Sequence, residues 1–153
     1  MCIRDSIETA MGLSICGRKS IVELQFSDFI SSGFNPVVNY LAKTFYRWKK
    51  KADVVLRMPC GAGVGAGPFH SQTNEAWFTK TPGLIVVYPS FPFDAKGLLI
   101  SSIENPNPVL FFEHKALYRT VREEIPESYY NIPIGKGKLR KIGNKISPTY
   151  KMV

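Results

Sequence analysis

Four short runs of β-branched and aliphatic residues, separated by helical segments, constrain the fold of this chain more than any other feature of its sequence. The runs begin near residues 20, 53, 83 and 108. Between them, apolar residues recur at spacings of three and four, which predicts one helix from about residue 35 and another over residues 93–103. The first helix should start there because Pro36 interrupts the helical pattern that precedes it. Strands that alternate with helices are typical of βαβ units. We therefore predict an α/β fold with a parallel sheet and helices on both faces.

Smaller features refine this prediction. A helix over residues 9–15 should end at Gly17, and a short helix should cover residues 72–78. The run at residues 83–89 is continuously apolar, which predicts a strand buried on both faces. Residues 118–133 lack a clear period and are expected to form an arm over the surface of the chain or of a partner, and residues 146–150 resemble the start of a new strand.

Composition excludes several classes of protein. The sequence contains no run of about 18 apolar residues, so no membrane partner is predicted. Charged residues occupy the region where a signal peptide needs apolar ones. The cysteines, at positions 2, 16 and 60, are odd in number and form no Cys-x-x-Cys pair, which argues against a zinc site or a disulfide framework. The cytoplasm is therefore the predicted location.

The formal net charge of +8 raises the question of nucleic-acid binding. The cations are concentrated at residues 47–51 and 136–145. The first group suits the polar end of a helix, where cations also interact favourably with the helix dipole. We interpret both groups as solvated surface and predict no nucleic-acid partner.

A glycine loop follows the second predicted strand and leads to a histidine. Glycine occupies positions 61, 63, 65 and 67, and His70 comes shortly afterwards. The strict spacing of two and the absence of a following Gly-Lys-Ser/Thr rule out a dinucleotide fingerprint and a P-loop. Loops beyond the carboxyl ends of parallel strands often form ligand sites, so this loop is either a ligand site or a plain connection. His70 is correspondingly either catalytic or a structural hydrogen-bonding residue.

An ordered set of segments resembles the beta subunits of thiamine-diphosphate-dependent 2-oxoacid dehydrogenases. Any one of the segments would be weak evidence, but they occur in the family's order over roughly residues 10–141. They lie at residues 21–29, 34–39, 57–61, 69–72, 82–89, 94–99, 105–108 and 112–118. The resemblance implies the pyrimidine-binding domain of the transketolase-like fold.

The resemblance also implies roles for particular residues. Gln25 and Phe29 would line the aminopyrimidine of thiamine diphosphate, although core packing is the alternative for Phe29. His70 would assist acyl transfer to a lipoyl group. The implied partners are an alpha subunit or domain, a lipoyl-bearing acyltransferase, and a second beta chain. In the family, the alpha part holds the diphosphate through magnesium with a Gly-Asp-Gly motif, which is absent from this sequence.

A potassium site is the remaining implication. The positions that match the family's potassium site lie at a predicted helix end or strand start, where backbone oxygens are available. They are Val54, Ser102, Ile103, Asn105 and Asn107. Oxygen ligands suit a hard cation. Members of the family often have Asp at the position of Asn105, so the missing charge should weaken the site. The alternative is a capped helix end followed by a proline-rich turn.

The sequence also departs from the family. The glutamate that activates the pyrimidine should fall near Ile3 and is absent, which indicates either truncation or true loss. We expect residues 1–9 to lie outside the resemblance, residues 10–115 to form the pyrimidine-binding domain, residues 116–141 to form a linking arm, and residues 142–153 to begin a truncated second domain. Alone, the chain should be inactive. Alternatives are a non-catalytic assembly fragment, or a related enzyme such as a transketolase or deoxyxylulose-phosphate synthase.

Overall fold

A four-stranded parallel sheet forms the centre of the molecule in the computed structural model, which describes residues 2–139 and 150–151, with side chains through residue 137. Its strands are β1 (Ser20–Glu23), β2 (Val54–Cys60), β3 (Ile85–Val87) and β4 (Val109–His114). Their order in the sheet is β1-β2-β4-β3. The longest pairing aligns Val55 with Val109 and continues to Cys60 beside His114.

Helices cover both faces of this sheet. The α-helices are α1 (Ile3–Ile15), α2 (Ala42–Trp48), α3 (Pro92–Glu104) and α4 (Leu117–Thr120), with 3₁₀ turns at Ser27–Gly33 and Glu75–Trp77 and a π-helical segment at Pro36–Leu41. On one face, α1 and the segments before α2 pack on Leu56, Met58 and Phe112. On the other face, α3 packs on the alternate residues of β2 and β4. The predicted α/β fold is confirmed.

The ends of α1 and α3 follow from their sequences. Gly17 adopts a left-handed φ of 78° just after α1, and its N–H donates to the carbonyl of Ser14. Pro92 opens α3, where a missing N–H costs no helical hydrogen bond. The helix ends at Glu104 because Asn105 precedes a proline and adopts an extended conformation.

Three elements differ from the sequence prediction. The strand expected over residues 83–89 is only Ile85–Val87, and Ile85 and Val86 are half-buried rather than buried because β3 is an edge strand beside β4 alone. The helix expected over residues 72–78 is limited to the turn at Glu75–Trp77. The helix predicted from about residue 35 is present, but its first part is the wider π form over Pro36–Leu41.

The segment after α4 runs along α3. Ile132 donates from its backbone N–H to the carbonyl of Gly97 over 3.3 Å, and Tyr130 stacks on Phe93 with ring centroids 4.5 Å apart. A side chain at Gly97 would collide with both Tyr130 and Ile132, so glycine permits this close approach. This segment therefore lies against α3 at residues 130–132, and its role as a linking arm stays a prediction.

Two short strands complete the described chain. Lys138–Leu139 pairs antiparallel with Tyr150–Lys151. Most of the strand predicted at residues 146–150 lies outside the described residues, as does most of the expected second domain. None of the described helices is long and apolar enough to cross a membrane.

Candidate functional site

Three chain segments meet beyond the carboxyl ends of β1, β2 and β4. Residues 24–29 follow β1, the glycine loop and His70 follow β2, and Lys115 follows β4. Because the strands are parallel, these segments share one edge of the sheet, the edge at which open α/β folds bind ligands.

An aromatic cluster surrounds His70. Its imidazole lies 4.7 Å from the ring of Phe26 and 5.5 Å from that of Phe29, measured between centroids. Both contacts are edge-to-face, with interplanar angles of 82° and 79°. The two phenylalanine rings are also perpendicular, 5.7 Å apart. Perpendicular packing of half-buried rings leaves ring surface available to a flat ligand.

Hydrogen bonds hold His70 from two sides. Its Nδ1 lies 3.2 Å from the carbonyl oxygen of Ala66. The Lys115 ammonium donates to the backbone carbonyl of His70 and lies 4.7 Å from the centre of the Phe26 ring. With Nδ1 protonated toward Ala66, Nε2 is the nitrogen that remains able to accept a proton.

The loop is also tied to the 3₁₀ turn after β1. The backbone N–H of Gln72 donates to Asp28 Oδ1 over 3.1 Å, and Ser27 Oγ donates to Asn74 Oδ1 over 2.8 Å. Asp28 is buried, and its Oδ2 has no hydrogen-bond partner among the described residues. These contacts hold the segment after His70, at Gln72 and Asn74, against the 3₁₀ turn after β1.

Glycine is required where the loop leaves β2. Gly61 has a φ of 89°, and an added Cβ there would lie 2.4 Å from His114 Nε2. His114 in turn stacks on Tyr88, with a 6.5 Å separation of the ring centroids. The first glycine of the loop is thus fixed both by its backbone conformation and by the imidazole beside it.

A charged network lies at the same carboxyl ends of the strands, on the face of the sheet that α3 covers. Arg57 donates to both carboxylate oxygens of Glu113, at 2.5 and 3.0 Å, and to Glu23 over 2.7 Å. Tyr118 also donates to Glu113. The hydrogen bond to Glu113 is the largest cause that raises the pKa of Arg57, and burial is the largest cause that raises the pKa of Tyr118. The network borders a largely apolar cavity of about 390 Å³ between α3 and α4.

The residues predicted to hold potassium lie at the other edge of the sheet, where β2 and β4 begin. The carbonyls of Ile103 and Asn105 both accept hydrogen bonds from the Lys19 ammonium, at 2.6 and 3.4 Å. Ser102 Oγ donates to the carbonyl of Leu98. Asn105 Oδ1 accepts from the N–H and the side-chain amide of Asn107. Val54 is fully buried. The described part of the chain contains no cluster of three or more His, Cys, Asp or Glu residues able to hold a metal ion.

The sequence matches the family described as "Transketolase, pyrimidine binding domain" over residues 5–121. That span exceeds half of the chain. This chain belongs to the transketolase pyrimidine-binding domain family. Among the curated relatives are the pyruvate dehydrogenase E1 component subunits beta of Staphylococcus epidermidis, 44% identical over 140 residues, and Staphylococcus aureus, 45% identical over 140 residues. Each alignment covers 90% of this chain but only 43% of the relative.

Within this domain, the structure brings two of the three predicted cofactor-site residues together. Phe29 and His70 are in ring contact, whereas Gln25 is exposed and makes no side-chain hydrogen bond with the described residues. Its position directly before Phe26 nevertheless places it at the same sheet edge. The roles of all three residues stay predictions.

Sequence reasoning missed Phe26, Asp28 and Lys115. Phe26 and Asp28 lie in the segment already singled out for Gln25 and Phe29, so proximity in the chain was an available signal. Lys115 lies 45 positions from His70, and only the parallel pairing of β2 with β4 brings the two residues together.

Proposed function

We propose that this chain is the pyrimidine-binding portion of the beta part of a 2-oxoacid dehydrogenase component that uses thiamine diphosphate. The observation that carries the proposal is the contact of the His70 imidazole with Phe26 and Phe29 at the carboxyl edge of a parallel sheet. Membership of the transketolase pyrimidine-binding family supports it. The relatives are pyruvate dehydrogenase subunits, which favours pyruvate as the oxoacid, with branched-chain oxoacids as the alternative.

The residues present suit the aminopyrimidine half of the cofactor. Phe29 offers a half-buried aromatic ring on which a flat heterocycle packs, and Gln25 offers an exposed amide able to orient ring nitrogens. When bound, the cofactor supplies the carbanion chemistry that decarboxylates a 2-oxoacid. The contribution of this chain is to bind and orient the ring and to exclude water from one side of it.

His70 supplies proton transfer in this proposal. Its Nδ1 faces the Ala66 carbonyl, so Nε2 is the atom that takes or gives a proton during acyl transfer to a lipoyl group. Lys115 holds the backbone of His70 and thereby fixes where the imidazole points. The lipoyl-bearing acyltransferase is therefore a proposed partner.

The remaining parts of the cofactor site belong to a partner in this proposal. The sequence contains no Gly-Asp-Gly, so the diphosphate and its magnesium are assigned to an alpha subunit or domain. The chain spans about two fifths of the length of the relatives it matches, 43% in each case. Because the diphosphate site is assigned to that partner, we expect no turnover from this chain alone. A contact between two beta chains and a cytoplasmic location stay predictions from the sequence.

The test measures thiamine diphosphate binding by isothermal titration calorimetry, with this chain mixed with a pyruvate dehydrogenase alpha subunit. Phe29→Ala should weaken binding by roughly tenfold, because loss of aromatic packing costs about 1–2 kcal/mol. Tyr129→Ala is the control, since Tyr129 is an aromatic residue in the segment along α3 and is 66% exposed. Binding that is equal in all three proteins would contradict the assignment of Phe29.

A second candidate is a non-catalytic assembly role. The feature that favours it is the exposed aromatic face of α2, where Tyr46 is 80% and Phe45 60% exposed. In that case the chain would join the alpha subunit without creating a cofactor site, and Phe45→Ala, rather than Phe29→Ala, would weaken the complex.

A further inference from the structure

The Lys19 ammonium lies against the carboxyl end of α3, far along the chain from its own position. Its Nζ is 2.6 Å from the carbonyl oxygen of Ile103 and 3.4 Å from that of Asn105. The same nitrogen is 3.5 Å from Asp53 Oδ2. One cation therefore contacts two carbonyls and a carboxylate drawn from different segments.

The fold accounts for this meeting. Lys19 directly precedes β1 and Asp53 directly precedes β2, and because these neighbouring strands are parallel, both residues lie at the same sheet edge. The last carbonyls of a helix lack partners within the helix and carry the negative end of its dipole. The end of α3 therefore attracts a cation at the position that Lys19 reaches.

Asp53 is held in place as the counter-charge. Ser14 Oγ donates to Asp53 Oδ1 over 2.5 Å, and the N–H of Asp53 donates back to Ser14 Oγ over 3.0 Å. Burial raises the pKa of Asp53, but the hydrogen bond from Ser14 and the charge of Lys19 together lower it below its ordinary value of 3.8. The carboxylate is thus ionised near neutral pH, and it faces an ammonium that is 44% exposed.

This arrangement does not fit a potassium ion on the same oxygens. Two of the five residues expected to bind potassium, Ile103 and Asn105, already give their carbonyls to Lys19. The side-chain oxygen of Asn105 is used by Asn107. A second cation on these carbonyls would stand within a few ångströms of the ammonium and be repelled by it.

We propose that the Lys19 ammonium is itself the cation of this site, taking the place of a potassium ion at the end of α3. It joins the segment before β1 to the turn before β4 at the amino ends of the strands, with Asp53 as its counter-ion. The folded chain consequently needs no monovalent metal ion for the stability of this edge, whichever reaction the domain serves.

The experiment is thermal unfolding of the full chain in potassium, sodium and choline chloride at equal ionic strength. The midpoint of the wild-type chain should be the same in all three salts. Lys19→Met should lower the midpoint in choline chloride by about 2–4 °C, the shift that loss of a charged hydrogen bond gives in a chain of this size. Lys50→Met is the matched control, because Lys50 is exposed and lies beyond α2, and it should not move the midpoint.

Two results would overturn the proposal. One is a wild-type midpoint that rises in potassium chloride relative to both other salts, since potassium would then bind the folded chain beside Lys19. The other is a Lys19→Met midpoint equal to that of Lys50→Met. If Lys19→Met fails to fold, the comparison of wild-type chain in the three salts decides by itself.

Discussion

Lys115 is joined to His70 by a hydrogen bond from its ammonium to the backbone carbonyl of that residue. The same ammonium lies over the ring of Phe26, so one side chain after β4 connects the glycine loop to the segment after β1. Lys115→Met should therefore release the backbone around His70. We expect amide hydrogen exchange in residues 67–72 to become roughly fivefold to tenfold faster, because a hydrogen bond to a charged group is worth about 1–2 kcal/mol.

Exchange measured by mass spectrometry on the full chain tests this, with Lys80→Met as control because Lys80 is exposed in the segment after the turn at Glu75–Trp77. Lys115→Arg keeps the charge and should restore part of the protection. Equal exchange in wild-type chain and Lys115→Met would show that the loop is held by its other contacts.

His70→Gln should separate acyl transfer from decarboxylation in an assembled enzyme. Glutamine keeps a polar side chain but cannot exchange a proton at Nε2. Transfer to the lipoyl group should fall by about 100-fold or more, the usual contribution of a general acid–base residue. Decarboxylation followed with an artificial electron acceptor should fall much less. If both rates drop by the same factor, His70 acts before the transfer step or serves only as a structural residue.

Arg57 and Glu113 form the most buried ion pair at the sheet edge, with the Glu113 side chain only 10% exposed. Arg57→Met leaves that carboxylate without its partner and should lower the free energy of unfolding by about 1–3 kcal/mol, less than for a fully buried pair because Arg57 is partly exposed. Urea unfolding measures the change. Arg4→Met removes the exposed pair with Asp5 and should change stability by less than about 0.5 kcal/mol. Equal effects of the two substitutions would refute this ranking.

The sequence predicted the parallel sheet, because strands that alternate with helices form βαβ units. The resemblance pointed to Phe29 and His70 separately, and their contact follows from the parallel pairing of β1 with β2. Each of these residues follows a strand, and carboxyl ends of parallel strands share an edge. The contacts of Arg57 with Glu113 and of Lys19 with Ile103 depend instead on strand register and on the path of α3. The partners are 56 and 84 positions apart, and no local pattern encodes that distance. The position of β3 at the side of the sheet could not be predicted either, because an apolar run does not specify which strands lie beside it.

Gly83 and Gly12 provide a matched pair of glycine substitutions. Gly83 has a φ of 95°, and an added Cβ would lie 1.9 Å from the backbone carbonyl oxygen of Ala42. Gly83→Ala should therefore destabilise the chain by roughly 3 kcal/mol or more, since backbone must move. Gly12 lies inside α1 with nothing within 4 Å of the added Cβ. Gly12→Ala should stabilise by about 0.5–1 kcal/mol. Chemical unfolding that ranks the two variants in the opposite order would contradict the packing of Gly83 on α2.

Cys60 should be the slowest of the cysteines to react. It is buried, whereas Cys2 and Cys16 are exposed. Burial is the largest cause that raises the pKa of Cys60 from 9.0 to about 11, so its reactive thiolate is scarce until the medium is strongly alkaline. Because the folded pKa is the higher one, the resulting stability is present below pH 9.0 and is lost as the pH rises toward 11. A disulfide reagent at mildly alkaline pH should label Cys2 and Cys16 at once and Cys60 only after denaturation; rapid labelling of Cys60 in the folded chain would refute its burial.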